Sequence, residues 1–186
     1  MRSLNRQFEY IEELSDEVER KDSINQLLAA TLKSSLIDYD DSDIQVEVKG
    51  NAVMVSLSDK MMFSTGSARI NKAAYEVLGK VALIINEQSD MNVLIEGHTD
   101  NVPIKNRVYR DNWDLSVHRA TAVVRLLQNN FQVDPQRLTA AGRSEYLPKS
   151  NNDSTTGRRN NRRTEITITP RLDDFFKLLE VSAELS

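Results

Sequence analysis

The run Ile95-Glu96-Gly97-His98-Thr99-Asp100-Asn101, followed by Asn112-Trp113-Asp114-Leu115-Ser116-Val117-His118-Arg119-Ala120, constrains this chain more than any other stretch. It sets a carboxylate where a strand runs out and a guanidinium just inside the next helix. Leu115, Ala122, Val123 and Leu126 lie four before, three after, four after and seven after Arg119. That spacing is the apolar stripe of a helix, and Arg119 stands on it. A charge on a buried stripe must be paired or must meet a ligand, because an unpaired buried charge costs several kcal/mol. Asp100, at the mouth of the same strand-to-helix passage, is the expected partner.

The rest of the chain reads as a strand-and-helix alternation. Ile44-Gln45-Val46-Glu47-Val48 alternates as a strand, Gly50-Asn51 turns it, and Ala52 to Leu57 returns. Residues 61 to 70 read as a loop. Asn71 is the expected cap of a helix reaching about Gln88, with Ala74, Val77, Leu78, Val81 and Ile85 on its inner face. Residues 92–97 form a central strand, apolar on both sides through Val93-Leu94-Ile95. A second helix is expected from near Asp114 to Asn129-Asn130. Arg137 to Ala141 reads as a short strand, 158–162 as a short helix, and Thr164 to Thr169 as a strand stopped by Pro170. The expected fold class is α/β, an α+β two-layer sandwich: a βαβαβ mixed sheet with helices on one face, preceded by an N-terminal helix.

Three segments are expected. In residues 1–38, Leu4, Ile11, Leu14, Val18, Leu28 and Leu32 recur at steps near three and four, interrupted by Gln7, Lys21 and Asn25. This marks a helix that packs along one seam, as a paired coiled-coil stalk with Asn25 fixing register or as a helix folded back on the domain. Dense charge on both flanks favours pairing into a homodimer. Residues 39–170 are the main domain, and residues 171–186 an amphipathic helix carrying Leu172, Phe175, Phe176 and Leu179.

Composition excludes some classes of function. The net charge of -4 provides no global basic field for nucleic acid. Arg158, Arg159, Arg162 and Arg163 form a short cluster without interleaved aromatics, so no nucleic-acid partner is expected. With no cysteine, disulfides and thiolate metal sites are excluded. No apolar run reaches transmembrane length and no secretory signal is evident, so any membrane attachment is expected through a segment outside this chain.

Glu-Gly-His-Thr-Asp-Asn at 96–101, Asn-x-x-Leu-Ser-x-x-Arg-Ala at 112–120 and Gly157-Arg158-Arg159-Asn160-Asn161-Arg162-Arg163 resemble one family together. It is the OmpA-like peptidoglycan-binding domain, of the OmpA C-terminal, Pal and MotB type. Phe63-Ser64-Thr65-Gly66-Ser67-Ala68 fits it as well. The Asn-Trp-Asp-Leu-Ser form and the long insert after Asp100 resemble the MotB branch most. The resemblance spans roughly residues 50–170 and implies that peptidoglycan is the partner. It also implies an envelope location on the periplasmic side, with outer-membrane association, and no cofactor.

The family's ligand is the stem-peptide diaminopimelate, whose side-chain end carries an ammonium and a carboxylate on one carbon. An Asp accepts the ammonium, and an Arg takes the carboxylate with two parallel hydrogen bonds. The resemblance assigns these poles to Asp100 and Arg119, with Phe63, Thr99, Asn101, Asn112 and Leu115 in secondary contacts. Within the same class stands a stator-like or secretion-system wall anchor regulated by dimerisation. From another class comes a metal-dependent wall hydrolase using Glu96, His98 and Asp100, which share a face if the strand continues. The missing nucleophile and the lone local histidine favour a non-enzyme without a metal site. In the family the terminal arginine run is mainly structural, one Arg bracing the sheet edge and others solvated.

Overall fold

A computed structural model describes residues 2–171, and the side chains among them except those of residues 2–10, 13, 14 and 17. The expected C-terminal amphipathic helix lies, from residue 172 onward, outside the described residues. The elements run α1 (Arg2–Ser35), β1 (Ile44–Lys49), β2 (Ala52–Ser58), α2 (Asp59–Met62), α3 (Lys72–Glu87), β3 (Met91–His98), α4 (Asn112–Phe131), a 3-10 turn (Pro135–Arg137), β4 (Leu138–Gly142), α5 (Thr155–Asn161) and β5 (Arg163–Pro170).

The five strands form one mixed sheet in the order β1-β2-β5-β3-β4. Only β3 and β4 are parallel; the other pairs are antiparallel. The α/β fold class expected from the alternation is therefore the one observed. Register explains which side chains meet. Val55, Ile166 and Ile95 lie in one cross-strand row and Val53, Ile168 and Val93 in another. These rows are fully buried, with Val77, Leu78, Val81, Val123 and Leu127 from α3 and α4 in the same core. Alternation sends the intervening residues to the opposite face, where Ser56, Glu165 and Glu96 form a row.

Helix α4 lies unusually close to the sheet. A Cβ on Gly97 or on Gly142 would run into Ser116, or into Ser116 and Val117, of α4. Glycine at these two strand positions lets the helix backbone approach, which fixes where Arg119 emerges. The helix starts at Asn112, slightly earlier than expected, because Asp111 caps it: its carboxylate accepts from Asp114 N at 2.9 Å. It ends at Gln132 in the left-handed conformation, φ 59°. The C-terminal carbonyls of α3 and its exit are satisfied by Arg137, which donates to the carbonyls of Ile85, Gln88 and Met91.

The seam of α1 divides. Leu28, Ala29 and Leu32, with Leu36 just beyond the helix, belong to the domain core. Each buried leucine contributes about 1.5–3 kcal/mol relative to exposure. Asn25 is also buried, and its amide donates to Asn51 at the β1–β2 turn, 3.1 Å away. It therefore meets the chain's own hairpin, where the sequence pattern had it fixing coiled-coil register. Ile11 and Val18, on the earlier part of the seam, are exposed. No described helix is long and apolar enough to cross a membrane.

Candidate functional site

The expected contact between Asp100 and Arg119 is replaced by two separate ion pairs. Arg119 is 3% exposed. Its Nη1 lies 2.7 Å from Asp59 Oδ1, its Nη2 donates to Asp59 Oδ2 at 3.2 Å, and its Nε donates to the Ser67 carbonyl at 3.0 Å. The guanidinium sits 5.0 Å from the centre of the Phe63 ring. Asp100 instead accepts from Arg162 Nη1 at 2.5 Å through Oδ2, and from Val102 N at 3.0 Å through Oδ1.

The reason is the register of β5. It sets Arg163 opposite His98, so Arg162 stands beside the chain just beyond the end of β3. On the other side, α2 brings Asp59 under Arg119. That short helix falls partly in the segment expected to be loop. Ser58 caps it, accepting from Met61 N, and Asp59 occupies its first turn. A serine followed by an acidic residue was the available sequence signal, but four residues are too few for periodicity to register.

The four charges interact as a set. Burial pushes the Asp59 carboxyl above its ordinary value, against the pull of Arg119 and Arg162; Asp100 adds to the rise. Burial likewise lowers Arg119, against the pull of Asp59. All four side chains line one cleft of about 650 Å³. Phe63, Thr99, Asn112 and Leu115 line it too, as do Thr65, Gly66, Pro103 and Ile104. Phe63 serves core and cleft at once, at 3% exposure. Asn101 is not part of the lining; it is exposed and its N–H donates to the Asn152 side chain at 3.4 Å. Asn112 ties the floor together, its amide donating to the carbonyls of Asp100 and Val102 and to Glu145.

The insert 102–111 is anchored. Tyr109 is buried and its hydroxyl accepts from Ala68 N. Arg110 forks onto Asp114 at 2.7 and 2.9 Å, while Lys105 and Arg107 are exposed. The terminal arginines are largely engaged. Arg163 braces the sheet, bonding Glu165 and the carbonyls of Asn161 and Leu147. Arg158 donates to the Asn152 carbonyl, and Arg159 lies 3.7 Å from Asp43.

The grouping Glu96, His98 and Asp100 is not formed. The strand ends at His98, and Asp100 turns to the cleft. Glu165 takes its place: Glu96, His98 and Glu165 are the one group of potential metal donors among the described residues. Both carboxylates are already claimed, Glu96 by Arg143 at 2.5 Å and Glu165 by Arg163 at 2.6 Å, with Lys149 3.4 Å from Glu165. These cations offset the cross-strand opposition of Glu96 and Glu165 and leave little negative charge for a metal ion. His98 is 2% exposed, and neither ring nitrogen has a hydrogen-bond partner. Burial first, then Arg163, lowers it to about 4, so it is neutral at neutral pH. Burial would raise Glu165, but the hydrogen bond and charge of Arg163 outweigh it and keep the carboxyl below its ordinary value.

The model of the OmpA family matches residues 62–162. Motility protein B of Bacillus subtilis is 34% identical over 128 residues, which is 69% of this chain and 49% of that protein. The chain thus spans about half the length of this curated relative. Among solved structures, the cell wall anchor of the T6SS from Pseudomonas aeruginosa is 34% identical with a TM-score of 0.68, covering 75% of this chain and 97% of that one. A putative MotB-like protein from Desulfovibrio vulgaris, at 23% identity, shares the fold with a TM-score of 0.75 over 84% of this chain and 95% of that one.

Proposed function

The chain belongs to the OmpA family, and from that premise we propose that it binds peptidoglycan through the stem peptide and takes no part in cleaving it. The observation that carries this reading is the alternation of charge in one cleft: Asp59, Arg119, Asp100 and Arg162 all line it. A diaminopimelate side-chain end is a zwitterion on one carbon. Its ammonium is held by Asp100 and its carboxylate by Arg119. Three of the five N–H donors of Arg119 are engaged by Asp59 and Ser67; the two that remain lie on opposite edges of the guanidinium, so the ligand carboxylate takes one of them. The same bonds hold the guanidinium still, so little side-chain entropy is lost on binding. Phe63, Thr99, Asn112 and Leu115 complete the contacts. Asn101 is retained only as a rim residue, since its side chain is outside the lining.

The test is retention on purified sacculi, competed by free diaminopimelate. Asp100→Ala and Arg119→Lys are each expected to weaken retention at least tenfold, since a Lys ammonium cannot keep the forked grip on Asp59 and the Ser67 bond while also donating to the ligand. Wild-type retention of both would end the assignment. Soluble muropeptides released by pure protein, and lost in His98→Ala, would overturn the non-catalytic reading.

The described relatives include a motility protein and a secretion-system wall anchor. They support a periplasmic, envelope-associated role in which the domain tethers a larger assembly to the wall. Pairing through the early part of α1, where Ile11 and Val18 are exposed, would then present two such domains together.

A further inference from the structure

The single tryptophan of the chain is exposed, although the fold offers a core to bury it. Trp113 is 46% exposed and Tyr146 is 66% exposed. The two rings lie 5.6 Å apart between centres with their planes 32° apart, close to an offset stack. Val117, one turn after Trp113 on the same side of α4, and Leu147, next to Tyr146, are exposed as well. None of this surface contributes to the core, and the four exposed apolar side chains fall together rather than singly.

Its support is rigid. Trp113 stands in the first turn of α4, on the helix capped by Asp111. Tyr146 stands on the loop after β4, whose Ser144 adopts a left-handed conformation, φ 52°. That loop is tied down at both sides: the Ser144 carbonyl accepts from Thr99 N at 2.9 Å, and Ser144 N donates to Ser116 Oγ at 3.2 Å. The platform is also continuous with the cleft. Asn112 lines the cleft and precedes Trp113; Glu145 precedes Tyr146; and the Asn112 amide donates to the Glu145 carboxylate at 2.9 Å.

We propose that the Trp113–Tyr146 pair is a sugar-stacking subsite for the glycan strand of the polymer whose stem peptide enters the adjacent cleft. The proposal rests on the peptide-binding reading for its placement. The chemistry fits an N-acetylated amino sugar. A pyranose ring presents a face of C–H groups carrying partial positive charge, and an aromatic ring presents a negative face. Its rim carries hydroxyl and amide groups, and the Glu145 carboxylate, next to Tyr146 in the chain and bonded to Asn112 beside Trp113, is a polar group suited to them. Two aromatic side chains held in place bind at low entropic cost, so the subsite adds affinity without requiring the loop to order. Stem peptide and glycan are covalently joined in the wall, so the two contacts act as one bidentate grip.

The experiment uses the full chain and three probes: a diaminopimelate-containing stem tripeptide, the same tripeptide on its disaccharide, and a peptide-free N-acetylglucosamine oligomer. Trp113 is the only tryptophan, so its emission reports on the platform. The oligomer and the disaccharide-tripeptide are expected to shift that emission, and the bare tripeptide to leave it unmoved. Disaccharide-tripeptide should bind about tenfold more tightly than tripeptide, a gain lost in Trp113→Ala and in Tyr146→Ala while tripeptide affinity is retained. Tyr146→Ala guards against a folding defect at Trp113, and Trp113→Phe should keep most of the gain. If Asp100→Ala abolishes tripeptide binding but the oligomer still shifts Trp113, cleft and platform are separate sites and the proposal stands. If the tripeptide fails to bind the wild type while the oligomer binds, the cleft reading falls and the platform is upheld. No emission shift with either sugar probe, or equal losses on tripeptide and disaccharide-tripeptide in both variants, overturns it. So does a concentration-dependent dimer that Trp113→Ala dissolves, because the rings would then be a contact between copies.

Discussion

Replacing Asp59 with Asn removes the charge that holds Arg119 in place, and the structure sets the size of the effect. Arg119 is 3% exposed and makes two of its three polar contacts with this one carboxylate. Breaking a buried pair by removing one partner costs about 3–5 kcal/mol, because the survivor remains charged. Three observations reduce that figure here. The Ser67 carbonyl still accepts from Nε. The Asp59 side chain is 14% exposed, so water reaches the site. Burial already penalises the Asp59 charge, and Asn relieves that penalty. The expected net loss is about 2–3 kcal/mol, or roughly 5–10 °C in Tm for a chain of this size. Urea unfolding at pH 7 reads it directly as a lower midpoint at unchanged slope. The double variant Asp59→Leu, Arg119→Met removes both charges and should recover most of the loss, giving a coupling of about 2 kcal/mol. That same double variant should not bind diaminopimelate. A loss under about 0.5 kcal/mol in Asp59→Asn, or strict additivity of the two sites, would refute the idea that Asp59 and Arg119 form one buried unit.

His98 has a folded-state pKa lowered from 6.5 to about 4, so it is neutral in the fold and protonates only in unfolded chains between those values. Stability is therefore unaffected by this group above pH 6.5 and falls as pH drops toward 4, at up to about 1 kcal/mol per pH unit after solvent screening. Between pH 7 and 5 the His98→Asn variant should lack that slope; parallel curves for variant and wild type would remove the argument. Gly97→Ala drives a methyl into the Ser116 carbonyl of α4 and should cost at least about 2 kcal/mol in urea unfolding. Gly50→Ala, at φ 57° with open space around it, is the control and should cost no more than about 1 kcal/mol. A chain starting at Asp40 loses Leu28, Leu32 and Leu36 from the core and should unfold several kcal/mol earlier than one starting at Asp22. In sedimentation equilibrium at tens of micromolar, the chain with residues 2–21 should pair and the version starting at Asp22 should not. Monomers in both would dismiss the pairing.

Local pattern was enough for the longer elements, though not for the four-residue α2, and for the burial of Arg119. The alternation of Ile44, Val46 and Val48, the stripe of Ala74, Val77, Leu78, Val81 and Ile85, and the apolar Val93-Leu94-Ile95 run each carry their period within one segment. The same holds for Arg119: its spacing against Leu115 and Val123 states that it is buried and must be paired. Which carboxylate pairs with it is a different kind of fact. Asp59 lies 60 residues away and Asp100 finds Arg162 at a separation of 62. Both choices follow from β5 inserting between β2 and β3, a non-local pairing that no window of sequence contains. The same insertion sets Glu165 opposite Glu96, giving His98 a different neighbour from the Asp100 that strand alternation alone would supply. The seam of α1 carries one interrupted pattern from end to end, yet Leu28 and Leu32 dock on the domain while Ile11 and Val18 are exposed, because the reach of the domain ends where the helix passes its edge. A single chain's periodicity states that a face is apolar; only the packed structure decides what covers it, because burial is a property of the partner as much as of the residue.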